Sequence, residues 1–398
     1  MKSEWKTYTV QELIDLGMLE APMDGNHGNL HPKVSDYVLE GIPFIMANDL
    51  VNGKIDYKKC AHITEAQARQ LKKGFAHPGD VLLTHKATIG RTALVGNEYD
   101  TIVLTPQITY YRVKKGISNR YLKAYFDSKE FQELLSNWAG SGSTRAYLGI
   151  TAQRKLPILL PSIDIQNKIA SYCESIDGKI TVNPMINDNL EQQAAALFSS
   201  LYNRSNTEVR YTDLIQILGG GTPKTGETAY WNGNIAFFTP KDVGAPYTFI
   251  TEKTITEEGL SHCNSRLYPV NTVFVTARGT VGKVGLSGVP MAMNQSCYAL
   301  VGKETHQLLV YFYTLKAVDR LKHKASGAVF DAITTRDFDS EQIMKLSDDD
   351  AKAFLCVAEP MFQEILNNSI ENLRLSTLRD FLLPKLMSGE IDVSSVQI

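Results

Sequence analysis

The sequence predicts an α+β protein. It comprises two similar globular domains joined by two long antiparallel helices that form a coiled coil, with internal pseudo-two-fold symmetry. Two observations predict this. First, six blocks recur in order: Ile42–Asp49 with Ile235–Asp242, Ile63–Glu65 with Ile255–Glu257, Val81–Arg91 with Val273–Lys283, Pro106-Gln107 with Asn294-Gln295, Gly149–Thr151 with Ala332–Thr334, and Asp188–Glu191 with Glu371–Arg374. Their offsets shrink smoothly from 193 to 183 residues, a period far too long for a solenoid, so one unit is present twice. Second, within each unit a stretch rich in Gly, Thr, aromatic and β-branched residues gives way to one of helical periodicity.

In chain order, residues 1–156 form the first globular domain. Val81–Thr84 and Ile102–Val113 read as strands between Gly, Pro and Asn, and Arg120–Ser136 as a helix. Residues 157–205 form a spacer helix. Ile165, Ile169, Tyr172, Ile176 and Ile180, then Ile186, Leu190, Ala194, Leu197 and Leu201, follow steps of three and four along one stripe. Pro184 interrupts this run, and a kink or break is expected there because proline lacks the N–H and crowds the preceding turn. Residues 206–342 form the second globular domain, with strands at Val273–Thr276 and Tyr298–Val301 and a helix at Gln307–Lys322. Residues 343–398 form the second spacer helix and a tail, with Phe354, Val357, Met361, Phe362, Ile365, Leu366, Ile370, Leu373, Leu378 and Phe381 on its apolar side. A narrow apolar seam favours pairing of the two helices. The alternative is that each packs on its own domain.

Composition narrows the function. With 41 Lys plus Arg against 43 Asp plus Glu in 398 residues, the chain is no polybasic protein that holds nucleic acid by bulk charge. Local fields differ, however. The balance is +4 over 1–156, −2 over 157–205, zero over 206–342 and −4 over 343–398, so the globular parts are the more basic. Five scattered cysteines without a CxxC pair argue against a disulfide framework or zinc ribbon and for a reducing, cytoplasmic setting. The first residues lack the apolar core of a signal peptide, and no apolar run reaches bilayer length, so no membrane association is expected.

Enzyme motifs are few. Gly219–Thr225 resembles a phosphate loop but lacks the Gly directly before Lys224 and places Pro223 where a cradling N–H is needed. His27 and His31 stand four apart, but Gly25, Gly28 and Pro32 oppose a helix there, and no metal or catalytic site is expected. An Asn-Pro-Pro-Tyr-like tetrapeptide, by which adenine methyltransferases hold a flipped base, is missing. The residues suited to reading DNA lie in the repeated loops. In one copy Thr84, His85, Lys86, Thr88 and Arg91, and in the other Arg278, Thr280 and Lys283, offer cations and hydroxyls after a strand, suited to phosphate contacts. Gln107, Asn294 and Gln295 have the amide geometry for adenine, and Arg145 and Arg278 the fork for guanine. Lys224 is suited to a DNA phosphate. Each of these has a plainer reading as an exposed polar residue or a loop tie.

These residues, taken together, resemble the specificity subunit of type I restriction–modification systems. The resemblance rests on Gly220-Gly221-Thr222-Pro223-Lys224, Tyr230-Trp231, Phe238-Thr239-Pro240-Lys241-Asp242, Ile255–Leu260 and Asn294-Gln295 in the second half. In the first half it rests on Gly25–Pro32, Gly79–Lys86 and Leu104–Gln107. In the spacer and tail it rests on Ile176–Ile180, Ile186–Glu191 and Leu378–Ile391. It covers essentially the whole chain.

The resemblance implies two target-recognition domains, each reading one half of a bipartite double-stranded DNA target, with Lys241 added to the contacts. The helices would set the unread gap and dock two modification (methyltransferase) subunits, through apolar residues such as Ile176, Ile180, Ile186, Leu190, Leu197, Ile365, Ile370, Leu373 and Phe381. Two restriction subunits join in some systems. No cofactor is expected in this chain. S-adenosylmethionine belongs to the modification subunits, and ATP and Mg to any restriction subunits. The alternatives are a free-standing methyltransferase or nuclease, against which the missing cofactor and metal motifs argue, a specificity subunit serving a methyltransferase alone, and a coiled-coil scaffold that binds only proteins. A helix over about 164–203 spans on the order of 60 Å at ~1.5 Å per residue, more than the roughly 34–36 Å of one DNA turn.

Overall fold

The computed structural model describes residues 5–140, 146–244, 246–324 and 332–393. The chain forms two compact units. One comprises Met1–Ile180 with Arg374–Ile398 and the other Thr181–Leu373, so each unit takes a segment of both long helices, Ile163–Arg204 and Asp348–Met387.

The two units share one connectivity. In the first, strands Met23–Asp24, Ile108–Tyr111, Val81–Lys86 and Thr88–Leu94 are neighbours in that order. Its second sheet runs Ala61–Ile63, Ile42–Ile45, Ile102–Leu104, Phe75–Ala76. The second unit has Ile215–Gly219, Cys297–Gly302, Val273–Thr276, Val284–Ser287 and Tyr247–Thr248 in one sheet, and Lys253–Ile255, Trp231–Phe238 and Met291–Met293 in the other. Ile42–Ile45 pairs parallel with Ile102–Leu104, and Trp231–Phe238 parallel with Met291–Met293; the remaining matched neighbours are antiparallel. A two-stranded antiparallel ribbon closes the domain in each unit, Lys6–Thr9 with Pro157–Leu160 and Thr207–Arg210 with Gln342–Lys345. The blocks Ile42–Asp49, Ile63–Glu65 and Val81–Arg91 therefore fall on matched strands, whereas Pro106-Gln107 is matched by Gln295-Ser296 and Gly149 by Thr334, one and two residues from the expected alignment.

The expected strand Ile102–Val113 is two strands, because Pro106 cannot donate to a ladder and Thr105–Gln107 turns the chain from one sheet to the other. The expected helix Arg120–Ser136 is two helices, Asn119–Asp127 and Lys129–Trp138. Ser128 separates them, its hydroxyl donating to Tyr125 O (2.7 Å) and accepting from Phe131 N (3.4 Å) as an N-cap. The break expected at Pro184 does not occur. The helix runs from Ile163 to Arg204 with Pro184 on an exposed position, where the ring meets water and the lost N–H removes one bond from a long ladder.

Within each unit the two helices are antiparallel, and both alternatives for their packing hold at once. In the second unit Phe198 of the first helix stacks on Phe312 (ring centroids 5.1 Å) of helix Gln307–Lys324 and meets Phe354 (5.4 Å) of the second long helix edge-on. Ala194, Ala358, Phe362 and Ile365 join the same buried core. Further along, Asn187 Nδ2 donates to Ser369 Oγ (3.2 Å) and Asn368 Nδ2 to Asn187 Oδ1 (3.0 Å), while Asn183 Nδ2 reaches Glu371 (2.7 Å) and Asn372 (2.8 Å). Buried amides that satisfy one another in a single alignment discriminate against slipped pairings, since a slip strands them in an apolar seam. In the first unit, Ile169, Ala170 and Cys173 pack in one core with Leu383, Leu386 and Met387, and Arg379 bonds Asp177 (3.3 Å).

Candidate nucleic-acid interface

The repeated loops gather around matched turns. In the second unit that turn is residues 294–296. Asn294 N donates to Phe238 O (3.0 Å), Ala277 N and Arg278 N both donate to Ser296 O (2.8 and 3.2 Å), and Gly221 N donates to Met293 O (3.1 Å). Four segments thereby meet: the glycine run ending at Lys224, the turn carrying Lys241, the loop Ala277–Lys283, and Asn294-Gln295. Gly220 has no room for a side chain, because a Cβ there would lie 2.2 Å from Asn294 O. In the first unit the turn is Thr105–Gln107. Thr105 N donates to Ile45 O (3.0 Å), His85 N to Gln107 O (2.9 Å), and a Cβ on Gly25 would fall inside the Leu104 carbonyl.

The matched side chains in these loops mostly bond to backbone. Thr84 Oγ1 accepts from Arg91 N (2.9 Å), and Thr276 Oγ1 accepts from Lys283 N (2.9 Å); both threonines are fully buried. Asp49 Oδ2 accepts from Met46 N (2.7 Å), as Asp242 Oδ2 does from Thr239 N (2.8 Å). Thr64 and Thr256 each cap a short helix. Such bonds shape loops without presenting anything to a ligand. His85 is likewise buried. Its Nδ1 faces Leu148 O (3.0 Å), its Nε2 has no partner, and burial pushes its pKa below 6.5 despite the Leu148 bond. Neutral His85 thus carries its proton on Nδ1.

The remaining candidates lie nearer the surface. Lys86, Arg91, Lys224, Lys241, Arg278, Thr280, Lys283 and Gln295 are exposed, and Thr88, Gln107 and Asn294 half-buried. Several are partly engaged. Arg91 Nη1 reaches Ala47 O (3.3 Å), Gln295 Oε1 accepts from the Thr222 hydroxyl, Asn294 Oδ1 from Ser296 N (3.0 Å), and Lys241 lies 3.6 Å from Glu252. That last pair is open to water and worth little. Arg145 lies outside the described residues. Among the described residues no group of three or more His, Cys, Asp or Glu is placed to hold a metal ion, and no helix is long and apolar enough to cross a membrane.

The helix residues divide. Ile365 is fully buried, and Leu190, Leu197 and Ile370 pack against the same core. Ile176, Ile180 and Leu373 are half-buried, and Ile186 and Phe381 exposed. Val182, one helical turn before Ile186, and the adjacent Met185 are exposed as well.

One cluster escapes sequence reasoning. In the first unit the Asp24 carboxylate holds two donors, Lys73 Nζ and His27 Nε2 (2.7 Å), and Asn26 is tied to Lys73 O and Lys72 N (3.0 Å). Burial raises the Asp24 pKa, but the Lys73 and His27 bonds outweigh it and the net shift is downward, so the group is a carboxylate. No spacing rule joins residues 49 apart, and only the fold places Lys73 beside Asp24.

A paired-sheet domain present twice, with cationic loops clustered on matched turns and two antiparallel helices, defines a class. The model of the type I restriction modification DNA specificity domain matches residues 2–192 and 203–345, and the chain belongs to that family. Among its relatives is the type I restriction enzyme MjaIX specificity subunit of Methanocaldococcus jannaschii, 24% identical over 395 residues and covering 92% of this chain and 90% of that protein. Another is the HindI specificity subunit of Haemophilus influenzae, 23% identical over 474 residues, covering 98% of this chain and 100% of that one. A crystal structure of the S subunit of a type I restriction–modification system from M. genitalium shares the fold, with a TM-score of 0.63 at 14% identity over 96% of both chains.

Proposed function

We propose that this chain is the non-catalytic DNA-reading subunit of a type I restriction–modification complex. The observation that carries the proposal is the repeated loop cluster. Each unit gathers the same segments around one turn, and in each the threonine and aspartate ties hold the frame while the exposed side chains differ. Two such readers on one chain recognise a split target, because once one half-site is engaged the second contact is intramolecular and adds avidity without a strongly basic protein. Exposed Lys86, Lys224, Arg278 and Lys283 supply phosphate contacts that position the duplex, and Gln107, Asn294 and Gln295 present amides toward base edges. The helix pair sets the unread gap and offers exposed apolar residues such as Ile186 and Phe381 to two modification subunits, which carry S-adenosylmethionine and transfer the methyl group. Restriction subunits, with ATP and Mg, join in the full enzyme. A complex with modification subunits alone is the second reading, and the same residues serve it.

The test is methylation-site sequencing of the assembled complex. Replacing residues 1–156 with the corresponding domain of a relative changes one half-site and leaves the other intact. A change in both halves overturns independent reading. Inserting one helical turn near Asn187 lengthens the gap with both half-sites retained; an unaltered gap removes the ruler role.

A further inference from the structure

The corner formed by Asp24, His27 and Lys73 has no charged counterpart in the second unit. Strand register fixes the equivalence. Asp24 lies opposite Thr109, and Gly219 opposite Tyr298, on the matched strand pairs. Gly25 and Gly220 press on matched carbonyls, which makes Thr222 the equivalent of His27. Ala76 pairs with Ile102 where Tyr268 bridges the matched Met291, so Ser265 stands where Lys73 does. The second unit therefore has Gly219, Thr222 and Ser265 in place of a carboxylate, an imidazole and an ammonium.

We propose that Lys73 and His27, held by Asp24, read a G·C pair in the half-site that the first unit recognises, Lys73 donating to guanine O6 and N7 and His27 Nδ1 accepting from the cytosine N4 amino group. The inference rests on the DNA-reading function proposed above. Three features support it. Asp24 is almost fully buried while the His27 side chain is half-exposed and Lys73 a third exposed, so a fixed anchor aims two groups outward. After donating one proton to Asp24, Lys73 keeps two ammonium protons, and His27, whose Nε2–H is given to Asp24, keeps the Nδ1 lone pair as an acceptor. The carboxylate cancels the ammonium charge, which leaves little attraction for a phosphate but keeps directional donors and an acceptor, the property that a base edge rewards. A corner that differs between two copies of one frame is also where two different half-sites are told apart. Asp24 is a positioning residue, and Lys73 and His27 are the contacts.

The experiment measures half-site preference of the assembled complex on a randomised target library, together with the salt dependence of binding, for Lys73→Ala, His27→Ala, Asp24→Asn and Lys73→Arg. We expect Lys73→Ala, His27→Ala and Asp24→Asn to relax discrimination roughly 5- to 150-fold at one guanine of one half-site. The other half-site and the salt slope should stay unchanged, and Lys73→Arg should retain the guanine. Uniform weakening on all sequences with a salt slope smaller by about one makes the corner a phosphate contact and overturns the inference. Unchanged preference in Lys73→Ala and His27→Ala, whose side chains are exposed enough to lose without unfolding, overturns it as well. An unaltered complex that shows no split-sequence preference sinks the functional reading and this inference with it, whereas a preserved split preference with insensitive variants sinks this inference alone.

Discussion

In the first unit Thr84 is buried and bonded to Arg91 N, with buried His85 as its neighbour. In the second unit Thr276 is buried and bonded to Lys283 N, with Ala277 as its neighbour. The threonine is common to both because the loop after that strand needs its side-chain acceptor. The neighbour varies because the frame does not depend on it. The same contrast holds around Gly25 and Gly220. The close approach of backbone to backbone is common, while Asp24, His27 and Lys73 belong to one unit only. Where two copies of a fold differ on a common frame, the shared residues report on folding and the unshared ones on what each copy binds.

That contrast can be broken at several points. The largest effect is expected from exchanging residues 1–156, which should rewrite one half-site entirely, as methylation mapping would show. Next comes the aromatic core of the second unit. Phe198→Ala should cost about 3–5 kcal/mol, because the ring fills a space between Phe312, Tyr313 and Phe354. Hydrogen exchange should show the loss of protection within residues 181–373. Uniform loss throughout the chain would mean that the units do not open separately.

The amide pair between the helices is expected to have a smaller effect. Asn187→Leu leaves Asn368 without its partner and should cost about 1–3 kcal/mol in denaturant titration. Asn187→Leu with Asn368→Leu should recover that stability while admitting slipped helix pairings. Thr84→Val and Thr276→Val should each cost about 1 kcal/mol, and by similar amounts. A much larger cost in one would break the equivalence of the loops.

The smallest effect is one of pH. Burial depresses the His85 pKa below 6.5, so the unfolded chain binds the proton more readily. The stability this neutral histidine contributes is full above about pH 6.5 and falls as pH drops through that range. His85→Leu should therefore lose less stability between pH 7.5 and 5.5 than the unaltered protein in thermal unfolding, whereas Ala277, at the matched position, has nothing to titrate.

Much of this was legible in the residues. The ordered blocks announced a duplicated domain, and the three blocks that precede Pro106 fall on matched strands while the short ones at Pro106 and Gly149 slip by one and two residues, because insertions and deletions collect in turns while ladders hold their length. Helical periodicity announced both long helices. The helix through Pro184 and the division at Ser128 were not legible, because each turns on whether a local penalty is outweighed by packing from residues distant in sequence. Among the candidate contacts, sequence could not separate a threonine that ties a loop from one that faces a ligand, since both suit the same strand end.

The sequence by itself determined that one unit occurs twice, that each carries sheet and helix, and that cations recur at matched positions, because periodicity and order are properties of the chain alone. Only the tertiary structure decided that Thr84 and His85 are buried, that Ile365 lies in a core while Ile186 meets water, and that Lys73 reaches Asp24 across 49 residues. Burial and pairing are set by which distant segments come into contact, and short-range pattern carries no record of that.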